Sequence, residues 1–237
     1  MTQKIDEWQR IENALSCIHV RVAYIWGKPG LGKTYAAYRF GRVENGFYAV
    51  TLTQDTGAAE LRGHYLFKGR DAVWHHGPFV RAMLEGKRLV INELRHASGD
   101  VQDQLFPVLE SPETARLTLP NGETIQPAPG YHCVITDNVP PEDHSEALRD
   151  RFVCRLLVTR PHPGALEGLD PALRRAAEAG FAIEDDRQIS PRDWRSLQNL
   201  FPLFGMLEAS YMVWGLERGQ MVYDALKLGE KAPKKRG

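Results

Sequence analysis

The run Gly27-Lys28-Pro29-Gly30-Leu31-Gly32-Lys33-Thr34 constrains this chain more than any other stretch. Gly27 and Gly32 are separated by four residues and followed by Lys and Thr, the pattern of a phosphate-binding loop. Glycines let backbone N–H groups turn toward a polyphosphate, and the dipole of a following helix adds to the attraction. Both flanks fit: Arg21–Trp26 reads as a buried strand ending at the loop, and Lys33–Phe40 opens a helix. That placement favours a phosphate loop over a glycine-rich turn carrying a surface lysine. Lys33 would then reach the β- and γ-phosphates, and Thr34 would place its hydroxyl on Mg²⁺. Pro29, Gly30, Leu31 and Tyr35 belong to the same nucleotide-binding stretch.

The chain around the loop supplies a matching scaffold. Ile5, Trp8, Ile11 and Leu15 at helical spacing predict a leading helix over 5–16. Gly46–Leu52, Arg88–Asn92, Tyr131–Thr136 and Phe152–Val158 read as further strands, with helices over Pro78–Glu85 and Asp100–Glu110 between them. Alternating strands and helices imply a parallel five-stranded sheet covered on both faces, an α/β fold. Leu117–Leu119 and Glu123–Ile125 flank Pro120-Asn121-Gly122, a hairpin signal. After Pro161 the texture turns helical, with helices expected over Pro171–Ala179, Pro191–Leu200 and Leu207–Leu228. The expected organisation is a nucleotide-binding domain over 1–160, a small all-helical lid over 161–230 and a basic tail over 231–237.

Composition narrows the function classes. Thirty basic and thirty acidic side chains cancel, so no global charge draws the 237-residue chain to nucleic acid or an anionic membrane. Cys17, Cys133 and Cys154 are widely spaced and odd in number, against a disulfide framework or zinc site. His75-His76 lacks a third ligand at sensible spacing. No stretch approaches the roughly 18 apolar residues of a membrane span. The acidic, weakly apolar N-terminus does not read as a signal peptide. These features predict a cytoplasmic protein.

A phosphate loop that hydrolyses its nucleotide needs acid at the end of another strand. Leu89-Val90-Ile91-Asn92-Glu93 is an apolar run ending in Asn-Glu, which makes Glu93 the candidate base. Asn92 stands where an aspartate is usual. It can accept a hydrogen bond from a metal-bound water but brings no charge, which should weaken Mg²⁺ binding without abolishing it.

Here the chain resembles the AAA+ ATPases. The phosphate loop, Asn92-Glu93, Ile135-Thr136-Asp137-Asn138 and Ala147-Leu148-Arg149-Asp150-Arg151-Phe152 follow one another in that family's order. Glu60-Leu61-Arg62-Gly63, Gly77-Pro78, Glu93–Ala97, Val101–Glu110 and Ile189-Ser190-Pro191-Arg192 are similar to its MoxR and dynein-related (midasin-like) branch. The resemblance covers roughly residues 20 to 200. It implies that Asn138 is the first sensor of the γ-phosphate, and that Arg151 is an arginine finger acting on a neighbouring subunit's ATP. Arg149 could share or take over that role, and Arg192 would be the lid's sensor. It also places an extra hairpin within Thr51–Trp74 and a second at Leu117–Ile125. Tyr65, Phe67 and Trp74 are then candidates for partner contact, with burial in the core as the alternative.

The function implied is a Mg²⁺-dependent ATP hydrolase that assembles into a homo-oligomeric ring of six and remodels a separate protein partner. A von Willebrand A domain protein is one such partner class, and a chaperone-like role goes with it. Two rivals remain open at this point. A nucleic-acid-directed motor predicts binding that weakens steeply with salt. An ATP-gated scaffold with weak hydrolysis predicts that Asn92→Asp raises turnover.

Overall fold

A computed structural model describes residues 6–111, 113–181 and 189–231. Ile5 and residues 232–237 of the expected basic tail lie outside these. Among the described residues the chain divides into two compact units. One comprises the chain up to Lys28 together with Lys33–Val158; the other comprises Pro29–Gly32 together with the chain from Thr159 onward.

The first unit opens with α1 (Glu7–Ser16). Asp6 caps it by accepting from the Trp8 N–H at 3.0 Å, and Trp8, Ile11 and Leu15 form its buried stripe. There follow β1 (Val22–Gly27), α2 (Lys33–Arg39), β2 (Phe47–Thr51), α3 (Ala58–Arg62), β3 (Gly63–Lys68), β4 (Asp71–His76) and α4 (Pro78–Glu85). Pro78 starts α4 and left-handed Gly86 ends it, the usual asymmetry of helix termini. Next come β5 (Arg88–Asn92), a short 3₁₀ turn (Leu94–His96), α5 (Gly99–Leu109), β6 (Leu117–Thr118), β7 (Thr124–Ile125), β8 (His132–Asp137), α6 (Glu146–Arg149) and β9 (Cys154–Val158).

Five strands form one parallel sheet in the order β2-β5-β8-β1-β9. β5 and β8 are buried along their whole length, as strands covered on both faces must be. Register sets Asn92 beside Thr136 and Trp26 beside Asp137, so the ends of β1, β5 and β8 finish at one edge. In open α/β sheets the crevice outside those carboxyl ends is where ligands bind. Two hairpins form, one where the resemblance places it and one at the Pro120-Asn121-Gly122 turn signal. β3 and β4 pair antiparallel, as do β6 and β7, the latter across left-handed Gly122.

The second unit contains α7 (Pro171–Phe181), α8 (Pro191–Phe204), α9 (Met206–Trp214) and α10 (Leu216–Lys231). Leu166, Leu169, Leu173, Ala177, Trp194, Leu197, Ala209 and Val222 form its core. Trp194 and Trp214 meet edge to face with centroids 5.7 Å apart. Ser190 and Asp193 make a reciprocal cap on α8: the Asp193 N–H donates to Ser190 Oγ, and the Ser190 N–H to Asp193 Oδ2. One expectation fails. The single helix predicted over Leu207–Leu228 is two, because Gly215 takes a φ of 77° that right-handed helix does not allow. Its N–H donates to the Tyr211 carbonyl and closes α9.

Candidate active site

The phosphate loop begins where β1 ends. Gly27 has a φ of 145°, and a Cβ there would lie 2.2 Å from the Val158 carbonyl oxygen, so no larger residue fits. Gly30 and Gly32 also lie in the left-handed region, at φ 80° and 105°. Leu31 is buried, and its carbonyl accepts from the His162 N–H at 2.9 Å within the second unit. Tyr35, on the first turn of α2, is half exposed and packs edge-on against Phe40.

Lys33 is 7% exposed, a rare degree of burial for a cation. Its ammonium is compensated by three oxygens: the carbonyls of Gly27 (2.7 Å) and Lys28 (2.8 Å) and Asn138 Oδ1 (2.8 Å). Burial still pushes its pKa down to about 8, with Glu93 and Asp137 acting the other way. Asn138 turns its other side to Glu93: its Nδ2 donates to both carboxylate oxygens, at 3.1 and 3.0 Å. Only one amide orientation satisfies both neighbours, because an ammonium only donates and a carboxylate only accepts. Lys33, Asn138 and Glu93, from three separate elements, therefore form one continuous polar chain.

Glu93 is the only non-glycine residue with positive φ (58°) among the described residues. Its N–H still bonds the Thr136 carbonyl as if β5 continued, and then the backbone turns left-handed. Such strain costs of order 1–3 kcal/mol and points to a functional constraint. Here the turn aims the carboxylate at Asn138 instead of along the sheet. Arg95 Nε lies 3.5 Å from the same carboxylate.

Asn92 uses its whole amide. Its Oδ1 accepts from Thr136 Oγ1 at 2.7 Å and Thr34 Oγ1 at 3.3 Å, while its Nδ2 donates to the Val50 carbonyl at 3.2 Å and to the Tyr38 hydroxyl at 3.3 Å. An aspartate here would set a carboxylate oxygen against the Val50 carbonyl. Thr34 thus offers a neutral hydroxyl oxygen, oriented by an Asn92 Oδ1 whose two lone pairs are already engaged, so Asn92 does not act as the direct metal ligand expected from the sequence. Among the described residues no group of three His, Cys, Asp or Glu could hold a metal. Hard oxygen donors too few to cage a cation fit Mg²⁺ that arrives on a nucleotide's phosphates.

A family model described as the AAA domain of the dynein-related subfamily matches residues 24–152, more than half of the chain. The chain belongs to that family. Protein NorQ of Paracoccus denitrificans is 36% identical over 135 residues, 54% of this chain and 48% of the relative. The denitrification regulatory protein NirQ of Pseudomonas aeruginosa is 31% identical over 132 residues, 54% and 50% respectively. The chain therefore spans about half the length of these curated relatives. The crystal structure of NtrX from Brucella abortus superposes with a TM-score of 0.50 at 15% identity, covering 94% of this chain and 67% of that one. At that identity the likeness carries the fold alone.

Within this AAA domain Arg149 and Arg151 make no bond to the Lys33–Asn138–Glu93 chain. Arg151 bonds Glu110 and Ala147, and the Arg149 carbonyl accepts from Arg155. Arg192 is exposed in the second unit, two residues after the Ser190 cap. Of the hairpin aromatics, Tyr65 and Phe67 are exposed and Trp74 is half-buried, its Nε1 donating to His76 Nδ1.

Sequence reasoning missed Asp137 as a brace. It is fully buried and accepts from the backbone N–H groups of Arg95 and Asn138, both at 2.7 Å, with His144 Nε2 at 3.4 Å. It fixes the turns that carry Glu93 and Asn138. An acidic residue ending a strand with an apolar centre, Cys133–Ile135, was the available signal.

Proposed function

We propose that this chain is a MoxR-like AAA+ ATPase that assembles into a homo-oligomeric ring of six and uses ATP hydrolysis to remodel a separate protein. The observation that carries this reading is the continuous Lys33–Asn138–Glu93 chain at the carboxyl edge of the sheet. It joins a phosphate-binding cation to a carboxylate base through one amide able to sense both.

ATP binding would exchange the carbonyl partners of Lys33 for phosphate oxygens, with the backbone N–H groups of residues 30–34 around the phosphates. The Thr34 hydroxyl can keep donating to Asn92 Oδ1 while its lone pair faces a cation, so Asn92 orients it without needing charge. Mg²⁺ held there would neutralise charge on the β- and γ-phosphates. Glu93 takes the proton of the attacking water, and Asn138 holds Glu93 and the γ-phosphate in one frame. The Arg151 guanidinium, supplied by a neighbour, stabilises charge on the transferring group, and Arg192 is the candidate second sensor of the γ-phosphate. Residues 1–160, 161–230 and 231–237 act as nucleotide-binding domain, lid and tail in this scheme.

Exposed Tyr65 and Phe67 on the β3–β4 hairpin support a protein partner, since uncovered aromatics mark interaction sites. The name of NirQ, a denitrification regulatory protein, supports a role exerted on another macromolecule. A von Willebrand A domain protein is the partner class that the branch suggests. Mass photometry with and without ATP tests the assembly: a ring is expected with ATP, and a monomer at every protein concentration would overturn it.

A further inference from the structure

Glu110, the residue closing α5, is gripped twice. Its backbone carbonyl accepts from Arg21 Nη1 at 2.7 Å, and its Oε2 accepts from Arg151 Nη2 at 2.8 Å. Arg151 Nη1 donates to the Ala147 carbonyl at 2.6 Å, and its guanidinium lies over the Phe106 ring, 4.8 Å from the centroid. Phe106 and Glu110 are four residues apart and share one face of the helix. The inner edge of the guanidinium, with its buried Nε, is therefore fixed by a carboxylate, a carbonyl and a ring. Each Nη carries a second hydrogen, and the Arg151 side chain remains 26% exposed. One side of the group is immobilised and the other is open.

The same segment reaches back to the base. Left-handed Glu93 leads into the 3₁₀ turn, Ser98 caps α5, and the helix runs to Glu110 without interruption despite Pro107. Arg149, two residues before Arg151, shares with it a buried Nε without a hydrogen-bond partner but has no carboxylate clasp among the described residues. That difference separates two arginines that the sequence leaves equivalent.

We infer that Glu110 is a positioning residue that presents Arg151 to a neighbouring subunit's nucleotide, with α5 linking a subunit's own base to the finger it lends. The inference rests on the reading of Arg151 as the finger. A long arginine side chain carries much rotamer entropy, and fixing it beforehand removes that loss from the encounter with the γ-phosphate. Exposed ion pairs contribute little to stability, so the clasp acts through orientation.

Glu110→Gln, Arg151→Ala and Glu93→Gln in the full chain, alone and mixed pairwise, test this by phosphate release from ATP, with melting and mass photometry alongside. Glu110→Gln is expected to slow turnover at least tenfold with assembly and melting unchanged, and adding it to Arg151→Ala should cost nothing further. Mixing Glu110→Gln with Arg151→Ala should restore nothing, because both keep the base and lack a presented finger. Mixing Glu110→Gln with Glu93→Gln should restore part of the activity. A purely structural role would not sort the variants in this way. Should Glu110→Gln melt early, Glu110→Asp, which keeps the charge but shortens the reach, should show a smaller loss with the same mixing behaviour. Wild-type turnover in the Glu110 variants while Arg151→Ala is inactive, or rescue between the two, overturns the positioning role and leaves the finger. Wild-type turnover in Arg151→Ala overturns the finger, and the positioning role with it.

Discussion

Lys33 and Phe67 form a contrast within this molecule: a cation 7% exposed and an aromatic ring 81% exposed. Each reverses the usual preference of its residue type. Lys33 tolerates burial because three oxygens surround its ammonium and Glu93 lies near. Phe67 stays uncovered because β3 and β4 form a two-stranded ribbon whose alternate residues, Tyr65 with Trp74 on one face and Leu66 with Val73 on the other, are mostly exposed. One region keeps its polar groups satisfied and fixed, as charge chemistry requires. The other leaves apolar surface uncovered, which the proposed partner contact would use.

Four variants probe that contrast. Glu93→Gln keeps shape and removes the base, and should slow phosphate release by about 100- to 10,000-fold while nucleotide binding persists; turnover near wild type would remove Glu93 from the mechanism. His132 tests the polar network under α2. Its Nδ1–H donates to the Gly130 carbonyl, its Nε2 accepts from Arg88 Nε, and Arg88 Nη1 donates to the Ala37 carbonyl of α2. Burial holds His132 at a pKa of about 4, below its ordinary 6.5. The unfolded chain therefore binds the extra proton first. The stability that neutral His132 contributes is whole above pH 6.5 and is lost as pH falls toward 4, by up to about 3 kcal/mol. His132→Gln should flatten that slope in urea unfolding at pH 4 to 7, and an unchanged slope would contradict the assignment.

Asn92→Asp should destabilise by about 1–3 kcal/mol and should not raise turnover, because the new carboxylate faces the Val50 carbonyl. Faster hydrolysis with an unchanged melting point would restore the view of Asn92 as a weakened aspartate. At the other extreme, Tyr65→Ser with Phe67→Ser should shift stability by no more than about 0.5 kcal/mol per site and leave basal hydrolysis alone. A large drop in melting temperature would make the hairpin part of the core.

What could be read in advance follows the same division. The phosphate loop and β5 were legible because each is set by neighbouring residues: glycines at fixed spacing, or an apolar run bounded by Arg88 and Glu93. The helix break at Gly215 was hidden because apolar spacing continues on both sides of a residue that helices also tolerate. The order β2-β5-β8-β1-β9 is a long-range outcome with no local signal. The Glu110–Arg151 clasp joins residues 41 apart, and only the packed α5 reveals it. Asn92 looked like a deficit as a letter; its four hydrogen bonds give the amide a use of its own.

The most direct test of the account is steady-state phosphate release from ATP across protein concentration, for wild type, Glu93→Gln, Arg151→Ala and an equal mixture of the two variants. The account predicts that wild-type specific activity rises with concentration, that each variant alone is inactive, and that the mixture recovers part of the activity by pairing one variant's finger with the other's base. Specific activity independent of concentration, or a mixture as inactive as its parts, would contradict a site completed between subunits.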